Sequence, residues 1–269
     1  MPAEGNRAKD IILRNRRISF FAAAKGGCPH PGGVGCPSGR RMQMEKHVGT
    51  LRILIFANGE LPDLEAARQL LTPEDLVICA DGGSRHALAL GLTPDALLGD
   101  LDSITEDELA RLAGGKTAVV RYQRDKDETD LELALNYALE QDPAGIVIVG
   151  ALGGRLDHAL GNIALLADPR LIRRQCSLDD GVERVVLCRA RTEINGAPGD
   201  PVSLVPWGGP AEGVRTDGLR WALRGETLLP ERSRGISNEI LGTSARVFVE
   251  YGSVLVIHRR LGSPPAGTM

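Results

Sequence analysis

The chain has 269 residues, and what it lacks narrows the reading before any motif is considered. No stretch approaches the roughly 20 apolar residues of a membrane-spanning helix. Neither sign of charge dominates: 32 Lys and Arg stand against 35 Asp and Glu, a net charge of −3. That balance gives no broad electrostatic footprint for nucleic acid or an anionic membrane, and a small or locally neutralised ligand fits better. Cysteine is sparse, with five scattered residues, an odd number that builds no disulfide framework. Cys79 and Cys188 sit in apolar runs as small hydrophobes, and a reducing, cytoplasmic setting follows. Cys28, His30 and Cys36 are loosely spaced like metal ligands, but no second ligand pair follows at zinc-finger spacing. Neither GxxxxGK[ST] nor GxGxxG occurs, so P-loop and ordinary dinucleotide readings lose support. Residues 18–24 are apolar and follow Arg14, Arg16 and Arg17, a faint outline of a signal peptide. The run is short, however, and Lys25-Gly26-Gly27-Cys28-Pro29 is a poor cleavage context.

What is present is an ordinary globular composition, 42% hydrophobic and 25% charged, long enough for one large domain or two modest ones. Residues 1–48 differ from the rest: Arg-rich, then rich in Gly, Pro and Cys, with no sustained period. They are expected to form a disordered extension, or to be upstream sequence translated ahead of Met42 or Met44. From residue 52 the rhythm changes to apolar runs at 52–57, 76–80, 118–122 and 146–151, each followed by a helical segment. Strands apolar on both faces, alternating with helices, predict a mainly parallel, Rossmann-like α/β sandwich over 49–180. After about residue 181 short strands at 185–188, 202–206, 245–250 and 254–258 alternate with Gly, Pro, Asn and Asp. No ordinary helix is evident there, so 181–262 reads as an all-β sandwich, with 263–269 a frayed tail.

The chemistry-bearing residues fall just after the predicted strands, where open α/β sheets bind ligands. Asp100 and Asp102 flank Leu101. In an extended segment residues two apart point the same way, so both carboxylates reach one cation. An Asx-turn with a helix cap around Asp102 and Ser103 is the plainer alternative. In Asp125-Lys126-Asp127-Glu128-Thr129-Asp130, Thr129 and Glu132 have the form of a capping box. Asp130 then sits in the first helical turn, where the helix dipole favours it. Asp125 and Asp127 precede the cap and gain less from that effect, while Lys126 suits either a phosphate oxygen or a surface ion pair. So many carboxylates at one sheet edge repel one another unless a cation offsets them, and Mg²⁺ is the natural one. In Gly153-Gly154-Arg155-Leu156-Asp157-His158 the glycines permit close backbone approach and Arg155 can fork onto phosphate. His158 reads equally well as a helix-end histidine bonded to backbone.

Taken in order, Asp81-Gly82-Gly83, Gly99 to Ser103, Asp125 to Glu132 and Gly153 to His158 resemble the thiamine pyrophosphokinase family. Gly218-Leu219-Arg220-Trp221 and Gly235-Ile236-Ser237-Asn238-Glu239 resemble its C-terminal motifs. The resemblance spans about residues 52–258; each motif is modest alone, and the ordered set is specific. It implies an α/β catalytic domain and a β-sandwich that binds thiamine, assembled as a homodimer with a shared cleft. It also implies transfer of the diphosphate of ATP to the thiamine hydroxyl. On that resemblance Asp81, Asp100, Asp102, Asp127 and Asp130 gather Mg²⁺ and polyphosphate, with Asp100, Asp102 and Asp127 as catalytic carboxylates. Gln123, Lys126 and Arg155 fall near the phosphates, and Asp125, Thr129 and His158 are expected among the ligand-binding residues. Asp157 lies near the thiamine end, and Trp221, Ser237 and Asn238 on its recognition surface. Two rivals are a metal-dependent phosphohydrolase and a non-catalytic binding module.

Overall fold

The computed structural model of the protein describes residues 11–12 and 51–262. The expected extension, apart from Ile11–Ile12, and the expected tail lie outside the described residues.

In chain order the elements are β1 (Ile11–Ile12), β2 (Arg52–Phe56), α1 (Leu64–Arg68), β3 (Leu76–Ala80), α2 (Ser84–Ala89), β4 (Ala96–Gly99), α3 (Glu106–Ala113) and β5 (Ala118–Arg121). There follow α4 (Asp130–Glu140), β6 (Gly145–Val149), α5 (Leu156–Leu165), β7 (Gln175–Asp179), β8 (Glu183–Cys188), β9 (Arg191–Asn195) and β10 (Pro201–Pro206). The last are β11 (Ala211–Asp217), β12 (Arg224–Leu228), β13 (Asn238–Glu239), β14 (Ser244–Phe248) and β15 (Val254–Arg259).

Strands β5, β4, β3, β2, β6 and β7 pair in that order and are all parallel. Their side chains alternate between two helix-covered cores, as a doubly covered sheet requires. Ile53 and Ile55 of β2 join Ile78, Leu98, Ile146 and Ile148 beneath Leu131, Ala134 and Leu135 of α4. Leu54 and Phe56 face the other way, with Val77, Leu97 and Val149 against Ala87 of α2.

The expected boundary near residue 181 is a change of strand direction inside one sheet. β8 adds antiparallel to β7, and β15, β10 and β13 continue the same sheet, which has 11 strands in all. A second sheet, β12-β11-β14-β9, closes the sandwich over Cys188, Val202, Leu204, Val214, Val247, Val254 and Val256. β15 serves both cores, with Leu255 facing the α/β side and its neighbours Val254 and Val256 the sandwich side. Two polar contacts, the first part-buried and the second buried, fasten this end of the chain. Asp179 accepts two bonds from Arg260 at 2.8 and 2.9 Å, and His258 Nε2 lies 3.0 Å from Asp200 Oδ2.

Helix caps follow the expected chemistry in part. Thr129 caps α4 by accepting from the Glu132 amide at 3.2 Å, without the reciprocal Glu132 contact that the sequence suggested. The full reciprocal box occurs at α3 instead, between Thr105 and Glu108.

Candidate active site

The strand order runs outward from β2 to β5 on one side and from β2 through β6 to β7 on the other. The sheet therefore reverses between β2 and β6, and its carboxyl edge there carries a cavity of about 510 Å³. Each strand contributes its following turn. Asn58 and Glu60 come after β2, Asp81 after β3, Asp100 after β4, Lys126 and Asp130 after β5, and Arg155 and His158 after β6.

At the end of β3 the backbone turns sharply through Asp81, whose φ is 44°, into the single 3-10 turn Asp81–Gly83. The two glycines allow that turn to lie against β2. A Cβ at Gly83 would stand 2.1 Å from the Phe56 carbonyl oxygen, and one at Gly82 would stand 2.5 Å from Asn58 Oδ1. Asp81 ends up 5% exposed, and its Oδ1 has no hydrogen-bond partner among the described residues. A buried carboxylate oxygen without a partner costs stability unless something else satisfies it.

After β4 the chain passes through Gly99, φ 150°, where a Cβ would be 3.0 Å from that of Asp81 and 3.3 Å from Asp130 Oδ1. Leu101 follows at φ 65° and is buried. Such conformations are costly for a non-glycine residue and collect at functional sites. Here the turn drops Leu101 into the core and brings Asp100 and Asp102 to one side. The Asp102 amide also donates to Asp100 Oδ1 at 3.2 Å, so the Asx-turn exists alongside the clustering. Oxygens of Asp81, Asp100 and Asp102 all lie within 4.8 Å of one another. An all-oxygen set of this kind, one member buried and unpartnered, fits a hard divalent cation such as Mg²⁺.

Asp130 stands beside this group in the first turn of α4. Burial raises its carboxyl above the ordinary range, and the charges of Asp81 and Asp100 push the same way. Lys126 opposes them, with Nζ donating to Asp130 Oδ1 at 2.5 Å. Arg124 reaches Asp102 only at 3.9 Å in the open. Arg155 forks onto Asp157 at 3.1 and 2.6 Å; both side chains are exposed. Asp157 also accepts from the His158 amide at 3.0 Å.

Other residues singled out in the sequence stand apart. Gln123, Asp125 and Asp127 are exposed and do not line the cavity; Thr129 does, next to its capping bond. Trp221, Ser237 and Asn238 belong to the sandwich. Asn238 is buried, and it clamps the Trp221 backbone by accepting from its amide at 3.0 Å and donating to its carbonyl at 2.7 Å. The Trp221 side chain is no core aromatic: it is 48% exposed, with the Arg220 guanidinium 5.1 Å from its ring centroid. The Ser237 amide donates to Ser203 Oγ, at a φ of 60°.

Asn58, Glu60, Arg85 and Asn162 line the cavity without having been singled out. Asn58-Gly59 directly after an apolar run was a usable signal, because the other motifs end strands in the same way. Nothing local marked Arg85 or Asn162. Among the described residues no helix is long and apolar enough to cross a membrane.

Two family models match the chain. "Thiamin pyrophosphokinase, catalytic domain" matches residues 67–186, and "Thiamin pyrophosphokinase, vitamin B1 binding domain" matches residues 191–256. Thiamine pyrophosphokinase 1 of Arabidopsis thaliana is 32% identical over 206 residues, covering 66% of this chain and 75% of the relative. Thiamine pyrophosphokinase of Bacillus subtilis is 50% identical over 91 residues, a match spanning 34% of this chain and only 42% of the relative. The crystal structure of thiamine pyrophosphokinase from Bacillus subtilis superposes with a TM-score of 0.70 at 28% identity, covering 78% of this chain and 99% of that one. A thiamin pyrophosphokinase family protein from Enterococcus faecalis gives 0.67 at 26% identity, covering 79% and 100%.

Proposed function

The chain belongs to the thiamin pyrophosphokinase family, and from that premise we propose that it is a thiamine diphosphokinase, forming thiamine diphosphate and AMP from thiamine and ATP. One observation carries the reading: Asp81 and Asp100, clustered with Asp102, line a cavity that Lys126, Arg85 and Arg155 also line. Carboxylates for a cation and cations for phosphates thus share one site at the sheet's switch point.

In this reaction the thiamine hydroxyl oxygen attacks the β-phosphorus of ATP in line. The bond from that phosphorus to the α,β-bridging oxygen breaks, and AMP departs with the electron pair. Asp100 takes the hydroxyl proton; it lines the cavity and has no cation partner among the described residues. Lys126 and Arg155 hold the polyphosphate, and the rigid turns after β3 and β4 fix the carboxylates, so positioning and electrostatics dominate. Asp81, Asp100 and Asp102 would hold Mg²⁺, which would supply neutralisation of the polyphosphate charge.

Thiamine recognition falls to the sandwich face bearing the exposed Trp221 and Ser237, with the buried Asn238 holding the Trp221 backbone. An exposed indole whose amide is already clamped offers a flat surface for a cationic thiazolium, a contact worth about 0.5–2 kcal/mol. The division of labour places catalysis in residues 49–180 and thiamine binding in 181–262, completed across a homodimer. Helix α5 supports that assembly: none of its side chains is buried, and Leu156 and Leu160 stand exposed. A cytoplasmic enzyme fits Cys79, Cys176 and Cys188, which form no disulfide among the described residues.

The test is ATP consumption with Mg²⁺, with and without thiamine. Turnover that requires thiamine supports the reading, and hydrolysis indifferent to thiamine means a phosphohydrolase.

A further inference from the structure

Among the described residues, no side chain of the turn after β2 makes a hydrogen bond that holds this cavity wall in place. Two consecutive residues of α2 hold it instead. Arg85 Nη2 donates to the Asn58 carbonyl at 3.1 Å, and His86 Nε2 lies 2.8 Å from the Gly59 carbonyl. A carbonyl only accepts, so the imidazole carries its proton on Nε2 and donates it. The Gly59 amide donates in turn to the Gly150 carbonyl at 2.8 Å. The edge of the His86 ring covers Gly150, where a Cβ would meet Cδ2 at 3.3 Å. His86 therefore touches the turns after β2 and β6, on either side of the sheet's switch point, while its own helix begins directly after Asp81–Gly83. Arg85 lines the cavity, whereas His86 is half-buried behind it.

We propose that His86 is a positioning residue, whose Nε2–H bond to the Gly59 carbonyl holds the Asn58–Gly59–Glu60 turn as a wall of the cavity in which Lys126 and Arg155 hold the polyphosphate. The inference rests on the proposed reaction for its kinetic consequence, but not for the hydrogen bond itself. Burial and the neighbouring Arg85 charge keep the imidazole below its ordinary pKa despite the Gly59 contact. The ring is thus held neutral, with a single N–H committed to this bond.

The test compares His86→Gln, whose side-chain amide places a donor where Nε2 stands, with His86→Met, of similar length but with no donor. His86→Asn, whose amide reaches only as far as Nδ1, serves as the second donor-misplaced variant should the methionine protein fail to fold. Two readouts are taken on the full chain: KM for Mg-ATP against kcat, and amide hydrogen exchange at Gly59. The expected result is KM for Mg-ATP raised about tenfold in the methionine and asparagine variants. In those variants kcat and the KM for thiamine stay near wild type, and Gly59 exchange is faster. The glutamine variant returns both readouts toward wild type. Equal KM values for Gln and Met, or unchanged Gly59 exchange in every variant, would overturn the proposal. A wild-type protein that does not consume ATP with thiamine sinks the reaction instead, while the exchange comparison still decides the role of His86.

Discussion

Lys126 and Asp130, one helical turn apart, meet at 2.5 Å on the floor of the cleft, in a place where burial and two further carboxylates work against the Asp130 charge. Among the described residues, Lys126 is the side chain that opposes them, through its hydrogen bond and its charge. Replacing it with methionine removes a preorganised cation from the phosphate site, and turnover is expected to fall by about 10²–10³. The same change leaves burial, Asp81 and Asp100 unopposed, so the Asp130 carboxyl rises further. The acid limb of the pH–rate profile therefore moves to higher pH, which a steady-state pH series on Lys126→Met reads directly. An acid limb in the wild-type position would show that the ionisation of Asp130 does not govern turnover.

Asp81 stores instability that function requires. Its buried Oδ1 has no partner, and it lies among like charges. Asparagine tolerates the positive φ of this position, so Asp81→Asn removes charge without new backbone strain. In chelator the variant is expected to be more stable than wild type by about 0.5–2 kcal/mol. Added Mg²⁺ should raise the melting temperature of wild type and leave the variant where it was. Thermal melts with and without Mg²⁺ decide it, and equal Mg²⁺ responses would remove Asp81 from the cation site.

Gly83 permits the packing that brings the β3 turn onto β2. With a Cβ 2.1 Å from a backbone oxygen, Gly83→Ala forces the main chain apart. A loss of about 3 kcal/mol is expected from such overpacking, visible as a lower urea midpoint. An unchanged midpoint would mean that the turn relaxes freely.

Acid lability should have a component far from the site. Burial alone would raise the Asp200 carboxyl, yet the Ala197 amide, His258 and the Leu261 amide outweigh it and hold the carboxyl below its ordinary value. A depressed folded-state pKa contributes stability that is fully present above the unfolded value of about 3.9 and lost as pH falls through the folded one. Asp200→Asn should flatten that part of the stability–pH curve, as measured by urea melts at a series of acidic pH values. A slope identical to wild type would place the acid transition elsewhere.

Much of this was legible in the sequence, because the informative signals were local. Apolar runs predicted β2, β3, β5 and β6, and acidic or glycine-rich turns after strands placed Asp81, Asp100, Lys126, Asp130 and Arg155 at one edge. Pairing between distant strands leaves no such local trace. Hence the continuity of the sheet past residue 181, where β8 pairs with β7, left no signal in the sequence. The turn around Asp100 was expected to be extended; its true shape depends on Leu101 being buried at positive φ, a tertiary effect. The capping box separates Asp130 from Asp125 and Asp127 in sequence, but which of the three lines the cavity is a tertiary matter, and only Asp130 does. The pairing of Arg85 and His86 with two successive carbonyls was invisible, since neither partner is near in sequence.

Mass spectrometry of the products formed from thiamine, ATP and Mg²⁺ addresses the proposed chemistry at its reacting bond. AMP and thiamine diphosphate in equal amounts are the predicted products. ADP with thiamine monophosphate would place the attack on the terminal phosphorus and contradict the account.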